Sequence, residues 1–277
     1  VTLEPCFHYG KTPPCCMLLK NYNLKNIYVA LEDPDSKVCG RGIEYLRNRH
    51  ISVCQNVLYN KAHDSLKEYI FQRKNLIPYI VLKVATSIDG KIASRDYSSK
   101  WITDDISRHD VQILRSNSQA IMIGTNTCIY DNPRLNVRMI NFKGKQPYKI
   151  ILDKNGKINS TKYNVISQPG KTLIFTSSLC KKATLQLWNS LKIKYFIVNI
   201  INDQLDLYSI CKKLSNLGVI QLLVEGGGKL ITSFIQQGLF NEIIQYQGPK
   251  IIGRNGINFF DISIGNNMED TMDLELI

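Results

Sequence analysis

Tyr79-Ile80-Val81-Leu82-Lys83-Val84-Ala85 is a short apolar, β-branched run, and Ser87-Ile88-Asp89-Gly90 closes it with a turn signal. Downstream, similar runs recur at Ala120–Gly124, 149–153, Thr172–Thr176, 195–199 and 221–225. Between them lie helical patterns near 181–191 and 205–217, and another that Thr103 is expected to cap, with Asp104 and Asp105 behind it, running to Arg115. Asp131-Asn132-Pro133 reads as a turn. Strands separated by helices of ten or so residues need parallel connections, so a three-layer α/β domain is expected. Upstream, Val1-Thr2-Leu3 is strand-like, and helices are expected near 15–21, 42–49 and 62–73 with a strand at 26–30. Lys74-Asn75-Leu76-Ile77-Pro78 is linker-like, which divides the chain into domains at 1–76 and 77–277.

The chain has 277 residues, of which 44% are hydrophobic and 21% charged, a globular composition. Lys, Asn or Asp interrupts each apolar stretch before it could cross a bilayer. No basic n-region leads into an apolar core, so a cytoplasmic protein with no membrane partner is expected. The net charge of +12 comes from Lys and Arg scattered along the chain rather than gathered in a stripe. That pattern argues against a nucleic-acid partner and suits anionic phosphorylated ligands. The eight cysteines are expected to be reduced, most of them small buried hydrophobes.

Two of them stand apart. Glu4-Pro5-Cys6 and Gly10-Lys11-Thr12-Pro13-Pro14-Cys15 place thiols on a tight loop and at a helix start, where a lowered thiol pKa favours a metal-binding thiolate. This loop closely resembles the zinc loop of the diaminohydroxyphosphoribosylaminopyrimidine deaminases of the bifunctional riboflavin enzymes. The resemblance implies that Cys6 and Cys15 bind Zn2+ and that a partial cytidine-deaminase-like α/β domain opens the chain. It also implies a third ligand, a histidine, and a catalytic glutamate in a His-x-Glu segment upstream, of which this chain has no match. His8 lies inside the loop with no Glu two residues on, and a solvent-facing role suits it better. The chain is therefore expected to be an N-terminal truncation that does not deaminate. Gly40-Arg41-Gly42 continues the same pattern and serves either turn geometry or the substrate.

Five motifs follow in order: Lys83 to Lys91; Ser99-Lys100-Trp101-Ile102-Thr103; Gly124-Thr125-Asn126-Thr127 through Asp131-Asn132-Pro133 to Arg138; Val224-Glu225-Gly226-Gly227-Gly228; and Gly248-Pro249-Lys250-Ile251-Ile252-Gly253. A glycine-rich turn opening a helix lets backbone N–H groups approach a phosphate, although a plain turn has the same form. Arg115 and Arg138 can clamp a phosphate in a fork, or be solvated surface charges. Trp101 either stacks on a flat ring or fills a core.

Together the five resemble the riboflavin-pathway reductase domain, whose fold is that of dihydrofolate reductase. The resemblance implies that Ala85, Trp101, Thr127 and Asp131 line the nicotinamide nucleotide of NADPH, with Gly227, Gly228, Lys229, Leu230, Ile231, Thr232 and Ser233 along its phosphates. It implies that Lys83, Ser99, Arg115, Leu135, Arg138 and Glu225 bind a phosphorylated pyrimidine. Lys83, Asp131 and Glu225 are the ionisable motif residues expected near the chemistry. The implied reaction is reduction of 5-amino-6-(5-phosphoribosylamino)uracil to its ribitylamino product, by a homodimer. A second reading, a nucleotide-binding relic without catalysis, is disfavoured by retention of those three residues. The closing run Leu274-Glu275-Leu276-Ile277 is strand-like and shorter than the resemblance implies.

Overall fold

The computed structural model describes residues 1–10, 12–260, 262 and 271–276. The chain divides into two units, Val1–Tyr79 and Ile80–Ile277, a little beyond the expected linker.

The first unit carries α1 (Cys15–Leu19), β1 (Asn26–Val29), α2 (Arg41–Arg47), β2 (Ser52–Gln55), α3 (Tyr59–Ser65) and α4 (Lys67–Asn75). β1 and β2 pair in parallel, and Val29, Leu46 and Cys16 pack into one small core. Val1-Thr2-Leu3 does not form the expected strand: a single parallel bridge joins Leu3 to Leu31. The expected helix at 62–73 is two helices that meet at Leu66.

The second unit carries β3 (Tyr79–Thr86), β4 (Lys91–Ala93), α5 (Asp105–Asn117), β5 (Ala120–Gly124), α6 (Thr125–Asp131), β6 (Tyr148–Leu152), α7 (Asn164–Ser167), β7 (Thr172–Thr176) and α8 (Lys182–Ser190). It continues with β8 (Lys194–Ile197), β9 (Ile200–Ile201), β10 (Gln204–Leu205), α9 (Leu207–Asn216), β11 (Gln221–Val224), α10 (Gly228–Gln236), β12 (Glu242–Gln247) and β13 (Ile257–Asn258). Seven strands form one sheet in the order β12-β3-β11-β5-β6-β7-β8. The pairs β12/β3, β11/β5, β5/β6, β6/β7 and β7/β8 are parallel, so the expected α/β class with a parallel sheet is present.

Near-continuous apolar strands fit a sheet buried on both faces. Ile121, Met122, Ile123, Ile150 and Ile151 are fully buried, each contributing about 1.5–3 kcal/mol over exposure. Trp188 is buried as well, with its Nε1 donating to Ile158 O at 2.9 Å. The cap of α5 is Asp104 rather than Thr103: its carboxylate accepts from Ser107 N at 2.9 Å, an ionised acceptor favoured at a helix start. Residues 271–276 carry no strand, which corrects that expectation, and Ile277 lies outside the described residues. Among the described residues no helix is long and apolar enough to cross a membrane.

Candidate active site

In a parallel sheet the carboxyl ends of the strands and the turns after them form a crevice. Lys83, Ala85, Thr127, Asp131, Glu225 and Gly227 lie on the elements that form it. Lys83 and Ala85 are the partly buried positions of the latter half of β3, between Leu82, Val84 and Thr86, which are buried. Glu225 follows β11 directly, its N–H donating to Met122 O of β5 at 2.9 Å. Thr127 and Asp131 lie on α6, which starts where β5 ends. Gly227 caps α10, and its N–H donates to Thr127 Oγ1 at 3.0 Å, which ties the glycine turn to α6.

Arg115 and Glu225 form the buried centre. Arg115 Nε donates to Glu225 Oε1 and Nη2 to Oε2, both at 2.7 Å, while Nη1 donates to Asn136 O at 3.2 Å. The side chains are 9% and 10% exposed, so the pair is bidentate and nearly dry. Glu225 and Asn136 thus engage three of the five N–H groups of Arg115 and leave one on each Nη. Burial alone would raise the Glu225 carboxyl, but the charge and hydrogen bonds of Arg115, helped by Lys83 and Arg138, hold it below its usual range. Arg138 is exposed and bonds Asn136 Oδ1 at 3.1 Å. Burial and the nearby Arg115 charge lower its pKa.

Lys83 stands between acidic neighbours. Burial lowers its ammonium pKa; Glu225 and Asp131 pull the other way and Arg115 adds to the lowering. Asp131 is raised, burial outweighing the hydrogen bond from Ser99 Oγ at 3.3 Å and the charges of Lys100 and Lys83. The turn after Asp131 is fixed by a feature that the sequence did not announce. Asn132 is left-handed at φ 41°, its Oδ1 accepting from Asn164 N at 2.7 Å and its Nδ2 donating to Lys162 O at 3.0 Å.

Trp101 is 59% exposed, so it is not a core residue. The Arg108 guanidinium lies 4.3 Å from its ring centroid, and its carbonyl accepts from Lys250 Nζ at 2.5 Å. A Cβ on Gly248 would sit 1.9 Å from Ile102 O, so the fifth motif seats the second. Gly248→Ala is expected to destabilise the protein by about 1–3 kcal/mol, read as a lowered denaturation midpoint.

Other expected residues stand further off. Leu135 is buried, which leaves its backbone for a ligand. Ile231 and Ser233 are buried, and Ser233 Oγ donates to Lys229 O at 2.7 Å, so these side chains do not line a cofactor cleft. Gly228 is required by its neighbours, since a Cβ there would meet Asn258 O at 2.6 Å. Tyr246 and Asp110 belong to the site and were missed; the alternation Ile244-Gln245-Tyr246-Gln247 before Gly248-Pro249 was the available signal for the strand of Tyr246, while Asp110 lies on α5.

The zinc expectation is not met. The main-chain N–H of Cys15 donates to Cys6 Sγ at 3.3 Å, and the two side chains are hydrogen-bonded neighbours. Among the described residues no group of three or more His, Cys, Asp or Glu could hold a metal. The Cys15 thiol is raised rather than lowered by its hydrogen bond with Cys6 and by burial, against the expectation from its helix start. His8 is partly exposed, and its Nδ1 is buried with no partner among the described residues. Gly40 and Gly42 have a structural use. Their N–H groups, with those of Asp33 and Ile43, donate to the buried Glu4 carboxylate, and a Cβ on Gly42 would lie 1.9 Å from Pro5 O.

A parallel sheet with an ionised pair, a lysine and a glycine-led helix at its strand ends is the site of an α/β ligand-binding or catalytic domain. The model of the RibD C-terminal domain matches residues 78–271, and the chain belongs to that family. It is 35% identical to the riboflavin biosynthesis protein RibD of Chlamydia pneumoniae, over 100% of this chain and 73% of that one. With RibD of Escherichia coli K12 the identity is 30%, over 91% and 70%. The solved RibD of Acinetobacter baumannii, form 1, superposes with a TM-score of 0.88 at 29% identity, covering 99% of this chain and 75% of that one. A Thermotoga maritima structure, named a diaminohydroxyphosphoribosylaminopyrimidine deaminase/5-amino-6-(5-phosphoribosylamino)uracil reductase, superposes with 0.78 at 29%, over 93% and 69%.

Proposed function

We propose that the second unit is a reductase of riboflavin biosynthesis with a dihydrofolate-reductase-like fold. It reduces 5-amino-6-(5-phosphoribosylamino)uracil to the ribitylamino product with NADPH. The observation that carries this reading is the group at the strand ends: Lys83 on β3, the Arg115–Glu225 pair after β11, Asp131 on α6, and the start of α10, which has no side-chain cap. The name of the Thermotoga maritima relative supports the substrate.

The donor set fits the dinucleotide. Gly227 caps α10 without a side chain, leaving the first-turn amides of Gly228 and Lys229 for phosphate. Ala85, Trp101, Thr127 and Asp131 would hold the nicotinamide end. NADPH, when bound, supplies the hydride to the electrophilic C1 of the ring-opened ribose. The protein's own residues position the substrate and supply the proton that the emerging amine or alcohol needs. Glu225 is held ionised by Arg115, so it acts by charge and not as an acid. Lys83, with its lowered hold on a proton, is the donor. Arg138 would take the substrate phosphate, with Ser99, the Leu135 backbone and the remaining N–H groups of Arg115 beside it.

The working form of Lys83 is the ammonium, so activity falls as pH rises through its pKa. That pKa lies below the ordinary lysine value of 10.5, and the alkaline limb of kcat/KM is expected there. Lys83→Arg moves the limb up and out of range; a limb that stays in place contradicts the role. The overall reading is tested by NADPH oxidation on adding the deaminated ribosylamino-uracil phosphate.

The first unit is the proposed partial deaminase domain, for deamination of 2,5-diamino-6-ribosylamino-4(3H)-pyrimidinone 5′-phosphate. Its described residues supply two thiols and do not fit a catalytic zinc, which keeps three protein ligands.

A further inference from the structure

Lys83 has three N–H donors and, among the described residues, no hydrogen bond or ion pair to a carboxylate. Both oxygens of Glu225 are engaged by Arg115, and Oδ1 of Asp131 by Ser99. The ammonium lies over an aromatic face instead. Lys83 Nζ lies 5.8 Å from the ring centroid of Tyr246. The sheet register accounts for the meeting. Ile244 pairs with Lys83 and Tyr246 with Ala85, so these four residues share one face of neighbouring strands, with Tyr246 diagonal to Lys83. The ring is anchored at its far end, where the Tyr246 hydroxyl donates to Asp110 Oδ2 on α5. Helix α5 also carries Arg115, which fixes Glu225 on the opposite side of Lys83.

We propose that Tyr246, anchored by Asp110, is a positioning residue for Lys83: its ring holds the ammonium in place while leaving the N–H donors for the phosphorylated pyrimidine. A carboxylate in that position would occupy those donors; an aromatic face stabilises the cation without taking them. The groups facing Lys83 are thus Tyr246 of β12, Glu225 after β11, Arg115 of α5 and Asp131 of α6. One helix sets both flanks, through Asp110 to Tyr246 and through Arg115 to Glu225.

The inference rests on the reductase reading, so its test has one readout that does not need turnover. In protein labelled at lysine Cε, the Lys83 signal is identified by its loss in Lys83→Arg. It is expected upfield of the other lysines in the wild type and in Tyr246→Phe, and back among them in Tyr246→Leu. A Lys83 signal unmoved by Tyr246→Leu overturns the proposal, whether or not the protein reduces anything. In the kinetic arm, Tyr246→Leu is expected to lower kcat/KM for the ribosylamino-uracil phosphate about tenfold and leave KM for NADPH within about twofold. Tyr246→Phe should recover most of that loss, and Asp110→Asn should fall between, at about threefold. Equal losses towards both substrates, matched by a loss of folded protein and no rescue by phenylalanine, would mean a merely structural tyrosine and overturn the proposal. A wild type without turnover defeats the reductase reading, and the lysine signal then decides the inference alone.

Discussion

Replacing Arg115 by methionine is expected to destabilise the protein by about 3–5 kcal/mol, the usual result of leaving a buried charge without its partner. Against the about 5–15 kcal/mol that holds a domain folded, this is a large loss. Glu225 would keep its burial and lose both hydrogen bonds from Arg115. The pH dependence has a definite sign. In the wild type the Glu225 carboxyl is held low, so its contribution is fully present above the ordinary value of 4.5 and is lost as pH falls through the native value. In Arg115→Met burial raises the same carboxyl, so the loss is greatest at neutral pH and shrinks on acidification. The double variant Arg115→Met/Glu225→Met, which removes both members of the buried pair, should recover most of the stability. Denaturant midpoints across pH check this. A single variant as stable as the wild type would mean that water reaches the pair.

Lys83→Met has the opposite signature. Removing a proton donor from the reaction is expected to lower kcat by about 10²–10⁴, with KM for NADPH little changed. Its stability should be equal or higher, because the variant replaces a desolvated ammonium with an apolar chain of similar length. Steady-state rates and a melting curve on the same preparation separate the two cases. A large loss of folded protein would identify Lys83 as a structural cation, and a rate within a few fold of wild type would remove it from the chemistry.

The sequence was most readable where one force dominates. The runs at Ala120–Gly124 and Thr172–Thr176 are apolar throughout because both faces of those strands are buried, and they appear with the expected bounds. The edges were less readable. β12 is Glu-Ile-Ile-Gln-Tyr-Gln, half polar and only partly buried, and it was not among the expected strands. β2 is half exposed, and α6 is Thr-Asn-Thr-Cys-Ile-Tyr-Asp, a poor helix former held by its place between β5 and the Asn132 turn.

The site divides in the same way. Lys83, Asp131 and Glu225 were visible as ionisable residues in recurrent motifs. Their partners were not. Arg115 meets Glu225 across 110 residues of chain, and Asp110 meets Tyr246 across 136, distances over which no local pattern carries information. The Glu225 partner of Arg115 was hidden for that reason, and the expectation had named only a phosphate for its fork. The buried side chain of Ile231 follows from the period of α10, which puts it on one face with Phe234 and Ile235.

The central claim is that hydride passes from NADPH to a phosphoribosylamino-pyrimidine in the crevice around Lys83. The most direct measurement uses NADPH carrying deuterium at the transferable position, the deaminated ribosylamino-uracil phosphate and this chain, followed by mass analysis of the product. The account predicts a ribitylamino product that has gained deuterium at its C1 carbon, at a rate that falls with Lys83→Met. NADPH consumed without label in the product, or NADPH bound with no product formed, would contradict it.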